Sequence, residues 1–299
     1  MSSLIEQAAQ RLEQLRQAGA DMPATSQSVP APAVAERPLS GSNVQPAATL
    51  SRRVEIDLEA LAAAGIVSPN APRSQIADQF RVVKRPLIAN AMGRGASVIA
   101  NGNLIMVTSA LPGEGKTFTA INLAMSMATE LDYTVMLVDA DVARPSVMNV
   151  LGLPEGPGLL DLVIDESKDL SSVLLKTNID KLTILPSGTQ HARATELLAS
   201  DAMIRLLDDM AKRYADRIIV FDSPPLLPTT ESRVLASHMG QVVVVVQAEK
   251  NLQADVQQAL ATIESCPVKL MLLNQAKTIS KMGYEYGYGY GYGYAQQEA

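Results

Sequence analysis

Residues 109–117 read SALPGEGKT. The apolar run 104–108 precedes this stretch, and a helical pattern follows it. The stretch matches the phosphate-binding P-loop pattern except that Ala110 replaces the first glycine. Gly113 and Gly115 allow backbone N–H groups to turn inward toward phosphate oxygens, and the following helix adds the positive end of its dipole. The stretch therefore predicts a nucleotide site between a strand and a helix.

Two side chains of this loop carry chemistry. Lys116 is expected to bridge the β- and γ-phosphates of a nucleotide, and the Thr117 hydroxyl is expected to bind Mg²⁺. The loop predicts ATP and Mg²⁺ as cofactors. The residues expected to contact the nucleotide are Pro112, Gly113, Glu114, Gly115, Lys116, Thr117 and Phe118.

Short apolar runs alternate with helical patterns through the core of the chain. The runs are 104–108, 135–139, 182–185, 217–222, 242–246 and 270–273, and the helical patterns are 75–90, 116–130, 194–213 and 252–264. Nearly continuous apolar, β-branched runs indicate strands buried on both faces, which is typical of a parallel sheet covered by helices. We predict an α/β fold, a P-loop NTPase with a mostly parallel central sheet flanked by helices.

Acidic residues stand at the ends of two of these strands. Asp139 and Asp222 each end an apolar run, and Asp141 lies two residues after Asp139. Open α/β sheets bind ligands at the carboxyl ends of their strands. We expect Asp222 to hold Mg²⁺, and Asp139 to serve the metal or act as a base, with the role of Asp141 open. The predicted catalytic set is these three aspartates with Lys116, and the predicted metal set is Thr117, Asp139 and Asp222.

The segments outside the core have biased compositions. Residues 1–20 show an amphipathic helical pattern, half of residues 21–50 is Pro, Ala or Ser, and residues 277–299 hold tyrosines mostly alternating with glycine. We predict an N-terminal helix (1–20), either frayed or docking a partner, and a flexible linker (21–50). A P-loop domain (51–276) and a flexible tyrosine-rich tail (277–299) follow. The tail tyrosines are Tyr284, Tyr286, Tyr288, Tyr290, Tyr292 and Tyr294.

Composition excludes several classes of protein. The 299 residues include 25 Lys and Arg against 31 Asp and Glu, a formal charge of −6, which argues against a dedicated nucleic-acid binder. One cysteine excludes an internal disulfide framework and an iron–sulfur cluster bound by this chain alone. No apolar run approaches the ~18 residues of a membrane span, and no secretory signal is recognisable, so a cytoplasmic location is expected.

Taken together, these motifs resemble those of the bacterial tyrosine kinases. The P-loop at 110–117, Asp139-x-Asp141 and Asp222-Ser-Pro-Pro are similar to that family's Walker A, A′ and B motifs, and segment 195–200 and the tail add to the likeness. The resemblance implies an ATP-dependent kinase that phosphorylates its own tail tyrosines, in trans within an oligomer, and so regulates exopolysaccharide synthesis and export. It also implies that Asn274 contacts adenine.

The resemblance extends to assembly and partners. The family builds a ring through an E-x-x-R-x-x-R helix, and the matching positions here are Asp78, Arg81 and Lys84. The N-terminal segment and linker resemble a subgroup linked to exosortase-type exopolysaccharide operons, whose kinases lack a membrane span. The implied partners are further copies of the chain, an inner-membrane chain-length-determinant protein that activates the kinase, and a tyrosine phosphatase. Such partners would hold the protein peripherally at the inner membrane.

Localising and partitioning ATPases form the alternative. They share the sheet and the A′ element, oligomerise with nucleotide and have no kinase activity. Their signature lysine stands five residues before the P-loop lysine, where this chain has Leu111. Leu111 and the tyrosine-rich tail therefore favour the kinase. The nitrogenase iron-protein branch needs cysteine ligands that Cys266 alone does not supply.

Overall fold

The sheet at the centre of the molecule is built from short strands. The computed structural model describes residues 51–69, 74–213 and 216–277. The strands in this part of the chain are β1 (Arg52–Arg53), β2 (Leu104–Ser109), β3 (Thr134–Asp139), β4 (Leu175–Lys176), β5 (Leu182–Leu185), β6 (Arg217–Asp222), β7 (Gln241–Gln247) and β8 (Val268–Asn274). They form one sheet in the order β1-β4-β5-β3-β6-β2-β7-β8. Neighbouring strands are parallel except β4 and β5, so the predicted mostly parallel sheet is confirmed.

Helices cover both faces of this sheet. Those in the described residues are α1 (Leu58–Ala63), α2 (Gln75–Ala91), α3 (Lys116–Ala128), α4 (Val147–Val150), α5 (Leu159–Ile164), α6 (Ala194–Leu198), α7 (Asp201–Arg213), α8 (Glu231–Ser237) and α9 (Gln253–Ala261). One apolar cluster joins the sheet to α5–α9, and a second joins it to α1–α4. The predicted α/β architecture with flanking helices is therefore confirmed.

Strand β2 illustrates why the apolar runs were informative. Leu104 and Met106 are buried in one cluster, and Ile105 and Val107 are buried in the other. Because successive side chains of a strand point to opposite faces, a strand covered on both sides needs apolar residues at every position. The edge strand β8 departs from this pattern, since its outward-facing residues are exposed.

Two features of the fold differ from the sequence prediction. The helical pattern at 194–213 is interrupted, because Ser200 accepts a hydrogen bond from the Met203 N–H and starts a new helix at Asp201. A serine followed by an acidic residue is a strong helix-start signal that the longer pattern had obscured. Strands β1 and β4 were not predicted, since two residues are too few to show a periodicity.

The register of the central strands determines where the functional residues meet. Asp139 and Asp222 are direct partners across β3 and β6, and Val107 of β2 pairs with Asp222. The P-loop follows β2 immediately. The three motifs therefore converge at the carboxyl-terminal edge of the sheet, as expected from the sequence.

The predicted N-terminal helix, the linker and the tail tyrosines lie outside the described residues, so these remain predictions. None of the helices in the described part of the chain combines the length and apolar character that crossing a membrane requires.

Candidate active site

The P-loop has the backbone conformation that phosphate binding requires. Gly113 and Gly115 have φ angles of 86° and 91°, in the left-handed region. A Cβ added at Gly115 would also lie 2.1 Å from the Asn274 Nδ2 atom, whereas one added at Gly113 would have no neighbour within 4 Å. Among the described residues no side chain caps the start of α3, so the first N–H groups of this helix are available to an anion.

Glu114 supports the P-loop from inside. Its carboxylate is buried and accepts hydrogen bonds from the N–H groups of Ala110 and Leu111, each at 3.1 Å, and from the Asn251 amide. Burial raises the pKa of Glu114, although these hydrogen bonds act in the opposite direction. The Glu114 carbonyl accepts a bond of 2.9 Å from Asn274 Nδ2. The side chain of Glu114 is therefore a structural element, and its backbone is the part that can face a ligand.

Lys116 lies among carboxylates. Its Nζ is 2.6 Å from Asp141 Oδ2, and both side chains are largely buried. Burial acts to lower the pKa of Lys116, but the carboxylates of Asp222 and Asp141 outweigh it and raise that pKa. The ammonium group is thus held charged at the edge of the sheet, where it can bind phosphate oxygens.

Thr117 connects the P-loop to Asp222. The Thr117 hydroxyl donates to Asp222 Oδ2 at 2.7 Å, and its oxygen lies 2.9 Å from Ser146 Oγ. The other carboxylate oxygen of Asp222, Oδ1, is buried and has no hydrogen-bond partner among the described residues. Burial is the main cause that raises the pKa of Asp222 to about 6, and Lys116 opposes the rise. An unpartnered buried carboxylate oxygen beside a hydroxyl fits a divalent cation.

Asp139 has contacts that differ from its expected role. Its Oδ2 accepts hydrogen bonds from the N–H groups of Ser146 (3.1 Å) and Val147 (3.0 Å), and its Oδ1 accepts one from Asp141 (3.3 Å). Burial and the nearby charge of Asp222 raise the pKa of Asp139 to about 7, despite these bonds. Both oxygens thus hold the loop after β3. The sequence predicts Asp139 as a metal-linked residue or base, whereas its contacts favour an anchoring role, and Asp141 is the aspartate beside Lys116.

Sequence reasoning missed Ser146 and Asn251. Each lies far along the chain from the P-loop residue that it contacts, Thr117 or Glu114. A hydroxyl residue before a short helix was the one available signal for Ser146, and it indicates a helix cap rather than a site.

A groove of about 1080 Å³ opens beside the P-loop, between α2 and β8. Its lining is mostly apolar, and it includes Gly115, Phe118 and Asn274 next to the phosphate-binding loop. The two predicted nucleotide contacts outside the P-loop itself, Phe118 and Asn274, therefore lie on one surface. Such a surface suits a flat aromatic ring with a few polar edges.

The described residues contain no group of three or more His, Cys, Asp or Glu side chains able to hold a metal ion. A cation at Thr117 and Asp222 would consequently take its remaining ligands from phosphate oxygens and water, as Mg²⁺ commonly does.

Comparison with known proteins identifies the family. A family model described as an AAA domain matches residues 102–276. Tyrosine-protein kinase YwqD of Bacillus subtilis (strain 168) is 30% identical over 223 residues, which cover 74% of this chain and 90% of YwqD. The chain belongs to the bacterial tyrosine kinases. It is accordingly an enzyme of the protein-tyrosine kinase class.

One further curated protein and one solved structure are similar to this kinase. The succinoglycan biosynthesis transport protein ExoP of Rhizobium meliloti (strain 1021) is 32% identical over 181 residues, which cover 60% of the kinase and 22% of ExoP. The crystal structure of the chimerical protein CapA2B2 matches with a TM-score of 0.58 and 27% identity, covering 74% of the kinase and 93% of that chain.

The three charged residues expected at the ring interface of this kinase do not share one environment. Asp78 and Arg81 are exposed on α2 and pair with each other. Lys84 is buried; its Nζ bonds the Ser126 carbonyl and lies 2.7 Å from a carboxylate oxygen of Glu130. Lys84 therefore does not share the exposed surface of Asp78 and Arg81 in the single chain, because it neutralises the carboxyl-terminal end of α3. The ring interface at these three positions stays a prediction.

Proposed function

We propose that this kinase transfers the γ-phosphoryl group of ATP to the tyrosines of its own C-terminal segment. The observation that carries the proposal is the convergence of Lys116, Thr117, Asp141 and Asp222 at the sheet edge. Strand β8, which leads to the tyrosine-rich segment, ends at Asn274 against that same P-loop. The proposed acceptor segment thus follows, in the sequence, a strand that ends beside the proposed donor site.

The P-loop residues fit a nucleotide triphosphate with Mg²⁺. Lys116 would exchange its bond to Asp141 for the β- and γ-phosphates, and the N–H groups at the start of α3 would bind phosphate oxygens. Thr117 and Asp222 would hold the cation, which supplies neutralisation of phosphate charge when bound. The purine would occupy the groove beside Phe118 and Asn274.

The acceptor phenol needs a carboxylate to orient its proton. Both oxygens of Asp139 are occupied by backbone N–H groups, whereas Asp141 Oδ2 is released when Lys116 turns to phosphate. These contacts support Asp141 as the residue that accepts the phenolic hydrogen bond. Asp139 would act indirectly, by holding the loop that carries Asp141.

The tail is long enough to reach a neighbouring subunit. From Asn274 to Tyr290 the chain has 16 residues, which as a flexible coil span about 20–25 Å root-mean-square. A folded core of this size has a radius of gyration of about 17 Å. Transfer in trans within a homo-oligomer is therefore geometrically accessible, and the exposed Asp78–Arg81 pair of α2 is a candidate contact between copies.

The biological setting that we propose is regulation of exopolysaccharide synthesis and export. It is supported by the family membership and by the relative named as a succinoglycan biosynthesis transport protein. An inner-membrane chain-length-determinant protein would activate the kinase and hold it peripherally at that membrane, and a tyrosine phosphatase would reverse the modification.

The test is incubation of the purified full chain with Mg²⁺ and ATP, followed by mass spectrometry of the tail. We expect phosphate on several of the six tail tyrosines and none in the Lys116→Met variant, because the methionine cannot bind phosphate. ATP hydrolysis without phosphotyrosine would instead support the localising-ATPase alternative. Phosphotyrosine in the Lys116→Met variant would contradict the proposed site.

A further inference from the structure

We propose that Ser146 positions the Mg²⁺ ligand Thr117 and thereby sets the affinity of the kinase for metal-bound nucleotide. This inference rests on the proposed function, because it concerns the same nucleotide and metal site.

Ser146 is held between two of the nucleotide motifs. Its backbone N–H donates to Asp139 Oδ2 at 3.1 Å, which fixes it to the A′ strand β3. Its side chain makes no capping bond to the helix α4 that it precedes. The Oγ instead lies 2.9 Å from Thr117 Oγ1, in the P-loop helix α3. The hydroxyl group is therefore directed at the predicted metal ligand.

The direction of the hydrogen bonds follows from counting protons. Thr117 has one hydroxyl proton and two lone pairs. An ionised Asp222 can only accept, so Thr117 gives its proton to Asp222 Oδ2 at 2.7 Å. Ser146 must then be the donor in the second bond, and it occupies one lone pair of the Thr117 oxygen.

This arrangement leaves one lone pair of Thr117 for a cation. With Asp222 and Ser146 fixing two of the three directions around the hydroxyl, the third is set before any ligand binds. Without the Ser146 hydroxyl, Thr117 keeps only its bond to Asp222 and can turn about it. Ser146 therefore acts through Thr117, as a positioning residue, and its removal should cost affinity only when the metal is present.

The test is calorimetric titration of the full chain with ADP, once with Mg²⁺ and once with EDTA. The variants are Ser146→Ala, which removes the hydroxyl, and Ser146→Thr, which keeps it. The matched control is Ser200→Ala, because Ser200 also uses its hydroxyl beside a helix start but precedes α7, outside the site.

We expect Ser146→Ala to bind ADP about fivefold more weakly in Mg²⁺, equivalent to about 1 kcal/mol for one hydrogen bond. Its affinity in EDTA should equal that of the unmodified chain, which also shows that the variant is folded. Ser146→Thr and Ser200→Ala should retain the Mg²⁺-dependent affinity.

Two results would overturn the inference. In the first, Ser146→Ala binds ADP in Mg²⁺ as tightly as the unmodified chain; in the second, it loses the same ADP affinity in Mg²⁺ and in EDTA, which would indicate a structural role only. Loss of the Mg²⁺ effect in Ser146→Thr, as in Ser146→Ala, would also contradict it. If the unmodified chain binds ADP equally with and without Mg²⁺, the proposed metal site itself fails, and the inference fails with it.

Discussion

Replacing Lys84 with methionine is expected to destabilise the kinase by about 2 kcal/mol. The Lys84 side chain is 4% exposed, and its Nζ has three partners at the end of α3: the Ser126 carbonyl, Thr129 Oγ1 at 3.2 Å and Glu130 Oε1 at 2.7 Å. Methionine keeps most of the apolar stem and removes the charge. The effect therefore isolates the ammonium group and its contacts.

The magnitude follows from what remains after the substitution. A hydrogen bond to a charged group is worth about 1.5–3 kcal/mol, and a cation at a helix carboxyl terminus up to about 2 kcal/mol in partly buried sites. The loss is reduced because the Ser126 carbonyl keeps a bond from Thr129 Oγ1 at 2.7 Å and because Glu130 is 42% exposed and can be rehydrated. The substitution also removes the cost of keeping the ammonium group buried, which reduces the loss of stability further, to about 2 kcal/mol.

The assay is unfolding by urea and by heat, compared with Arg81→Met in the same helix. Arg81 is 48% exposed and pairs only with Asp78 among its described ion-pair contacts, so its loss should change stability by about 0.5 kcal/mol or less. For a domain of this size, about 2 kcal/mol lowers the melting temperature by about 4–8 °C. If Lys84→Met is no less stable than Arg81→Met, the reasoning is refuted. If Arg81 contacts another copy as proposed, Arg81→Met should instead reduce the sedimentation mass, and Lys84→Met should not.

Three further outcomes are expected. Because burial and Asp222 raise the pKa of Asp139 from 3.8 to about 7, the folded state holds a proton that the unfolded chain releases. This proton contributes stability that is fully present below about pH 4 and is lost as pH rises through 7. Over this range the urea midpoint of Asp139→Asn, relative to that of the unmodified chain, should therefore rise with pH, and a constant difference would contradict the assignment. Gly115→Ala should weaken ADP binding more than Gly113→Ala does in the same calorimetric assay. Both substitutions strain a left-handed backbone, at a cost of about 1–2 kcal/mol, but only the Cβ at position 115 also forces the Asn274 side chain to move; equal losses would contradict this steric argument. Phosphorylation of all six tail tyrosines adds about −9 to −12 charge per chain, which should dissociate an oligomer, and an unchanged sedimentation mass after complete phosphorylation would contradict that cycle.

The sequence was informative about the fold where burial is complete on both sides of the sheet. Strands β2, β3, β6 and β7 could be predicted because each contains at least four consecutive apolar residues, so no single residue decides the assignment. The break at Ser200 and the short strands β1 and β4 depend on one or two residues each. A hydrophobic pattern is assessed over a window of many residues, so it does not detect features that depend on one or two of them.

The site could be predicted from sequence where its members are contiguous or where they end a recognisable strand, as Asp139 and Asp222 do. The P-loop glycines, Lys116 and Thr117 lie within one motif. The motif alone therefore predicted both the backbone conformation of the loop and the roles of its side chains. The inward direction of the Glu114 side chain could not be predicted, because its partner Asn251 lies 137 residues away in the sequence. The burial of Lys84 could not be predicted either, because a motif match shows which residues correspond to a family's pattern but not whether another helix covers them.

The two aspartates of the A′ element, Asp139 and Asp141, have different contacts and therefore different proposed roles. Asp139 ends β3 and Asp141 lies two residues further on. Among the described hydrogen bonds, the N–H groups that start α4 reach Asp139 alone, and Lys116 reaches Asp141 alone. Asp139 thereby fixes Ser146, and Ser146 contacts Thr117, which contacts Asp222. A single chain of hydrogen bonds thus joins the A′, A and B motifs. Because the side chain of Asp141 is not a member of this series of hydrogen bonds, its carboxylate can change partners without disturbing the residues that would hold the metal.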